Sequence, residues 1–285
     1  MSTWAAPGAV LAVLAAAVLH ASWNAMVKGA GDKVAIFARS SLVGAVACAV
    51  GLWFVEPPAR ASWPWLASSA VIHVAYNLGL LAAYRLGDFN QTYPLARGLG
   101  PVVVALVAAL VLHEPLAVVP AVGVLVIAVA IGVLGLAPAR VAHRGAALAA
   151  VFTGLTIASY TLVDGVGVRR SGSAAGYTLW LVGLECAATA VVAVALRPGT
   201  PTLRAPASRW LVAAAVAVMS TLGYGLVLWA QTRGALAAVA ALRESSVVVA
   251  AVIGTVVFRE PMGRVRVAAS VAVAVGAALL AVPVS

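Results

Sequence analysis

Very short polar links cut this chain into apolar runs of about 20 residues, and that division limits its fold more than any single motif does. A helix rises about 1.5 Å per residue, so a run of that length crosses a hydrocarbon core of roughly 30 Å. Cutting at charges, prolines and glycine clusters gives ten spans: 7–27, 33–54, 66–86, 90–112, 115–136, 145–163, 174–196, 209–230, 235–258 and 262–283. The longest link between spans is "RPGTPTLRAPASR", Arg197 to Arg209. With no soluble domain and no low-complexity tail, any function has to sit between the helices.

Composition agrees. Of 285 residues, 64% are hydrophobic and 9% charged, with a mean hydropathy of +1.08. A soluble domain carries about a quarter of its residues as charges. The net charge of +10 would point to nucleic acid on a soluble protein. Here the basic residues cluster at the ends of apolar runs, where they anchor helices to anionic headgroups, and no nucleic-acid partner is expected. Cys48 and Cys186 lie inside apolar runs as small packing residues. No ligand spacing for a metal occurs, so neither metal nor cofactor is expected. Residues 1 to 22 have the outline of a signal peptide but lack a basic n-region, and they read as the first membrane helix.

Two spans carry an arginine inside an apolar run. "YPLARGLGPVVVALVAALVLHEP" begins at Tyr93, and "VAALRESSVVVAAVIGTVVFREP" begins at Val239. Arg97 and Arg243 are 146 positions apart, as are Glu114 and Glu260, and Pro115 and Pro261. "HASWNAMVKG" from His20 aligns with "IASYTLVDGV" from Ile157 at an offset of 137. The chain therefore reads as two related halves, 1–138 and 139–285, each of five spans. An odd number of spans makes the halves cross the membrane in opposite senses, an inverted repeat that places a substrate site near the midplane.

These same stretches, with "LHASWNAMVKGAGD" in the first span, resemble the EamA family of the drug/metabolite transporter (DMT) superfamily, and the resemblance covers essentially the whole chain. It implies an all-α integral membrane protein of ten transmembrane helices arranged as two inverted five-helix repeats. It also implies a central cavity, alternating access, and substrates among amino acids, other metabolites or drugs.

Polar residues within a span face the bundle or a cavity more often than lipid. In the first span His20, Trp23, Asn24 and Lys28 share one helical face, with Lys28 near enough to an end to reach the headgroups. His73, Tyr76 and Asn77 form a second such face in the third span. Asn90, Tyr93 and Arg97 form a third in the fourth, where Pro94 frees a backbone carbonyl near Asn90. Arg97 and Arg243 each lie roughly 10–12 Å below a surface, and inverted halves bring them to the midplane from opposite sides. A guanidinium pair there suits a carboxylate or phosphate. The competing reading is structural pairing with Glu244 or Glu185.

Tyr160, Tyr224 and Trp229 read as aromatic walls. Glu185, mid-span, reads as a proton-coupling group or as the partner of an arginine such as Arg39. Asp164, closer to a helix end, competes for the coupling role. Glu114-Pro115 and Glu260-Pro261 read as starts of the fifth and tenth helices.

The function expected is secondary transport of a small polar metabolite, an amino acid or related organic compound, in the export direction. No ATP-binding sequence is present, so an ion gradient would drive uphill movement. The alternative is a membrane-embedded enzyme or regulator, for which no paired aspartates or Ser–His arrangement is visible. The chain is expected to be multi-pass in a bacterial inner (plasma) membrane, monomeric, with lipids and a small-molecule substrate as its partners. Basic loop residues favour termini outside, whereas the resemblance implies termini in the cytoplasm.

Overall fold

Unbroken Ala, Val and Leu runs hydrogen-bond only to themselves as helices, and a computed structural model of the chain bears this out. It describes residues 7–86, 89–114, 116–136, 144–196, 204–257, 259 and 264–281. Among them the regular elements are all helices: α1 Pro7–Gly29, α2 Lys33–Gly51, α3 Trp63–Leu86, α4 Phe89–Leu110, α5 Val118–Leu136, α6 Arg144–Arg170, α7 Ala174–Leu196, α8 Ala207–Gln231, α9 Leu236–Arg243, α10 Ser246–Val256 and α11 Arg264–Ala281. Short 3-10 turns at Leu52–Phe54 and Arg60–Ser62 lie between α2 and α3.

Six stretches among the described residues are long and apolar enough to cross a membrane: Pro7–Gly29, Val34–Phe54, Leu148–Arg170, Ala174–Ala193, Ala207–Gln231 and Leu236–Val256. Shorter apolar helical stretches are Leu99–Leu110, Val118–Val133 and Val267–Leu280. The outer surface is apolar, with Leu11, Val46, Leu106, Leu125, Leu148, Val191, Leu211 and Val271 all exposed. Such a surface suits lipid and not water. Beyond the end of α2, Trp53 and Phe54 stand 88% and 82% exposed, as aromatic residues do at the headgroup level.

Local signals set several ends. Asp32 caps α2 by accepting from the Ala35 amide at 3.0 Å. Gly172, with φ of +68°, turns the chain between α6 and α7, a conformation glycine adopts without a Cβ clash. The helices depart from the sequence-based spans in three places. First, α6 continues through Gly165 and Gly167 to Arg170. Those glycines are close-packing positions, against Leu236 and against Tyr177 and Trp65 respectively. Second, α5 begins at Val118, not at the Glu114-Pro115 pair. His113 has a φ of +57° there, and Glu114 turns to an ion pair with Arg169. Pro115, Glu260 and Pro261 lie outside the described residues. Third, the ninth span is two helices, α9 and α10, joined at Glu244 and Ser245.

Packing pairs helices distant in sequence. Helix α3 lies on α6, α2 on α7, α5 on α11 and α1 on α8, while α4 lies on both α5 and α6. Small residues set the spacing. Between α2 and α7, Gly44 faces Cys186 and Gly183 faces Cys48. This bears out the packing role expected of both thiols, which are free. The largest apolar cluster includes Val13, Ile127, Ile131, Leu242, Val273 and Leu280.

At the crossing of α5 and α11, a Cβ on Gly276 would stand 2.6 Å from Ile127 and 2.8 Å from the Gly123 carbonyl. Replacing Gly276 by valine is expected to destabilise the protein by about 1–3 kcal/mol through overpacking. A Cβ on Gly132 would meet nothing within 4 Å, so Gly132→Ala serves as the control. Thermal denaturation of the two variants in the same detergent checks the difference.

Candidate functional site

A charge placed at mid-depth in the membrane has to bring its own partner. Arg97, on α4, is 5% exposed. It donates from Nε to Glu244 Oε2 at 2.6 Å and from Nη2 to Oε1 at 3.1 Å. Its Nη1 lies 3.0 Å from Nε2 of His20 on α1. A guanidinium only donates, so His20 accepts at Nε2. Glu244 is fully buried. It sits where α9 passes into α10 through a tightened turn, with Glu244 N bonded to the Ala241 carbonyl at 3.0 Å and Val247 N to the Glu244 carbonyl at 3.0 Å. The spacing is i to i−3, a 3-10 turn.

The neighbouring Arg243 is 7% exposed. One of its nitrogens, Nη2, lies 3.6 Å from Glu244 Oε1. Its Nε is buried with no hydrogen-bond partner among the described residues. One carboxylate thus serves two guanidiniums unequally, held by two hydrogen bonds on Arg97 and by a longer contact on Arg243.

A layer of rings stands beside this cluster. His73 stacks on Tyr160 with centroids 4.2 Å apart, and Tyr224 meets His73 edge-on at 5.8 Å. Tyr76 meets Tyr160 edge-on at 5.7 Å. Arg243 is electrostatically coupled to both Tyr160 and Tyr224. Beyond the rings lie two carboxyl groups. Glu185 Oε2 is 4.0 Å from His73 Nε2, and its side chain is 25% exposed. Asp164 is fully buried and accepts from the Tyr177 hydroxyl at 3.0 Å and from the Tyr224 hydroxyl.

The other sequence-predicted residues fall as follows. Asn24 donates to the His20 carbonyl at 2.7 Å, which turns its amide onto its own helix. Trp23 lies edge-on to His20 at 5.1 Å, and Lys28 is exposed near the end of α1. Trp229 lies under the Arg233 guanidinium, 4.6 Å from it, away from the ring layer. The side chains of Asn77, Asn90 and Tyr93 lie outside the described residues. Arg39 is buried but does not pair with Glu185, whose ionic neighbour is His73. Asp164 is no helix-end residue, because α6 runs six residues past it to Arg170.

Sequence reasoning missed Ser69 and Tyr177. A serine one turn before His73 is a signal that could have been read. The hydroxyl of Tyr177 had none.

One end of the bundle is tied by Arg169, at the end of α6. It donates from Nε to the Gln231 carbonyl at 2.7 Å and from Nη2 to the Gly234 carbonyl at 2.7 Å. Its Nη1 pairs with Glu114. A single side chain thus fastens α6 to the α4–α5 link and to the α8–α9 turn. An apolar recess between α2 and α8, of about 340 Å³ and lined by Leu42, Val43, Val46, Ala47 and Trp210, lies apart from the polar cluster.

Fold and site together define a multi-pass, all-helical membrane protein with charged and aromatic groups held between its helices. Residues 144–282 match the model of the EamA-like transporter family. A solved structure described only as a crystal structure of a protein has a TM-score of 0.74 to this chain, at 18% identity, covering 95% of each. At that identity the likeness shows the fold alone. No curated protein matches the chain in sequence.

Breaking a buried pair by removing one partner costs about 3–5 kcal/mol, because the other charge is left uncompensated. Arg97→Ala and Glu244→Gln should each lower the melting temperature and the folded yield. Combined, they should cost less than the sum of the two. A double-mutant cycle on thermal stability measures that coupling, and strict additivity would exclude the pair as the tie between α4 and α9.

Proposed function

We propose that this chain is a secondary transporter of the drug/metabolite transporter superfamily. It moves a small polar metabolite bearing a carboxylate or phosphate, an amino acid or related organic compound, by alternating access. One observation carries the reading: Arg243 is buried with a free Nε among the described residues, while Glu244 is committed to Arg97. A guanidinium without its full complement of acceptors, beside a layer of rings, suits an anionic group with an organic body. In this reading Arg97 is the fixed tie and Arg243 the receptor. The Tyr160, Tyr224 and His73 rings flank the ligand, with Tyr76, His20 and Trp23 at its edge.

The ten-helix inverted repeat belongs to the same proposal, with α9 and α10 together as the ninth span. Exchanging α1 with α6, α2 with α7, α3 with α8, α4 with α9–α10 and α5 with α11 turns the α3–α6 contact into α8–α1, and the α4–α6 contact into α9–α10 against α1. Both of these partners are in contact, which supports two halves, 1–138 and 139–285, related by a pseudo-twofold axis. Export across a bacterial inner membrane, by a monomer, completes the reading. Protons drive it, with Glu185 as the coupling group, and the chain carries out no catalysis.

The substrate is found first, by screening amino acids and small organic anions for thermal stabilisation of the purified protein. Arg243→Ala should then keep the unliganded melting temperature and weaken binding about ten- to a hundredfold, the loss of one charge-assisted contact. Arg243→Lys should rescue only in part, since a point charge lacks the bidentate geometry. Unchanged affinity in Arg243→Ala would remove Arg243 from the site. In proteoliposomes, Glu185→Gln should abolish pH-driven flux, and flux unaltered by that change would take the coupling role from Glu185.

A further inference from the structure

The surroundings of His73 fix where its hydrogens go. Nδ1 lies 3.0 Å from the Ser69 carbonyl oxygen and 3.1 Å from the Ser69 hydroxyl. A carbonyl only accepts, so Nδ1 carries a hydrogen. The opposite nitrogen, Nε2, faces Glu185 Oε2 at 4.0 Å. The stacked ring of Tyr160 holds the imidazole plane. On the far side, the Ser69 hydroxyl is also within hydrogen-bonding reach of Asp164. Side chains therefore connect a quarter-exposed carboxyl group to a fully buried one.

Resting on the proton-coupled reading above, we infer that Glu185 and Asp164 exchange a proton through His73 and Ser69. In the forward direction the Glu185 Oε2–H bond breaks as His73 Nε2–H forms. His73 Nδ1 passes its hydrogen to Ser69 Oγ while the hydroxyl hydrogen of Ser69 moves to Asp164. Glu185 ends ionised and Asp164 protonated. His73 ends neutral in its other tautomer, and Ser69 is unchanged. The reverse transfer resets the chain.

The gap between Glu185 and His73 is the open step. Movement of α7 against α3 closes or widens it, which would link proton passage to conformation. Asp164 is faced by Tyr177 of α7, Tyr224 of α8, and Ser69 and His73 of α3. Glu185 is faced by His73, acts electrostatically on Tyr160 and adjoins Cys186, whose thiol has Cys48 beside it. Arg243, with Glu244 and Arg97 behind it, is the cation across the ring layer.

Infrared difference spectroscopy on the full chain in lipid nanodiscs, with buffer pH as the only variable, tests the relay. It needs no substrate. In the wild type the carboxylic C=O bands of both groups should respond to pH as one coupled pair. Asp164→Asn, which keeps one oxygen to accept from a tyrosine, should remove one band and shift the midpoint of the other by about one pH unit or more, the mark of interacting sites. Ser69→Ala leaves Asp164 its tyrosine donors and should keep both bands but uncouple their midpoints. Should Asp164→Asn fail to fold, Ser69→Ala decides alone. Unmoved midpoints in the variant that folds would overturn the relay and leave Asp164 as a tie between α6, α7 and α8. Failure of the transport reading appears elsewhere, as absence of flux in wild-type proteoliposomes for every solute tried.

Discussion

The bidentate contact between Arg97 and Glu244 is the constraint around which the bundle is arranged. A guanidinium at this depth cannot reach water, and its burial is tolerable only with a partner and with its donors satisfied. The partner comes from 147 positions away in the sequence. The contact therefore forces α4 against the α9–α10 junction and brings α1 in through His20. The turn at Glu244 and Ser245 is part of the same arrangement, since it places two adjacent charged side chains, Arg243 and Glu244, together in the protein interior. The paired arginines read from the sequence thus have unequal situations. One is locked, and the other is held by a single longer contact.

Much of the fold was legible because a membrane makes length a reliable signal. Among the described residues nearly every apolar run became one helix. What misled the reading were residues whose usual meaning was overridden by packing. The sixth span read as ending at 163, whereas α6 continues through Gly165 and Gly167, which are sites of close approach. Glu114 before Pro115 looked like a helix start but reaches across to Arg169. The junction at Glu244 contains neither glycine nor proline, so no punctuation announced it. In the polar cluster, helical spacing found His20, His73, Arg97 and Arg243. It could not rank them, since rank comes from which partner each meets across the bundle. Distance from the end along the chain also misplaced Asp164. Helix α6 runs on six residues beyond Asp164 to Arg170, so Asp164 is still in the interior.

The two polar clusters differ in kind. The arginine cluster is held by charge and is satisfied by a fixed carboxylate. The group around His73 is held by hydroxyls and rings, with Glu185 only loosely attached. Tyr160 and Tyr224 stand between them and touch both through electrostatics.

The exposed Trp53 and Phe54 bear on the membrane itself. Helix α2 has 19 residues, about 28 Å of rise, with these rings at one end and Asp32 capping the other. That length nearly equals a hydrocarbon core of roughly 30 Å, so α2 has almost no slack to absorb a thicker bilayer by straightening. Hydrophobic mismatch would be taken up instead by tilt of the helices packed on it, α7 first. The glycine and cysteine seam between α2 and α7 would transmit that tilt toward Glu185. Lipid thickness thereby becomes a variable of the protein in its own right, set by the host membrane and read by a helix outside the Arg97–Glu244 pair.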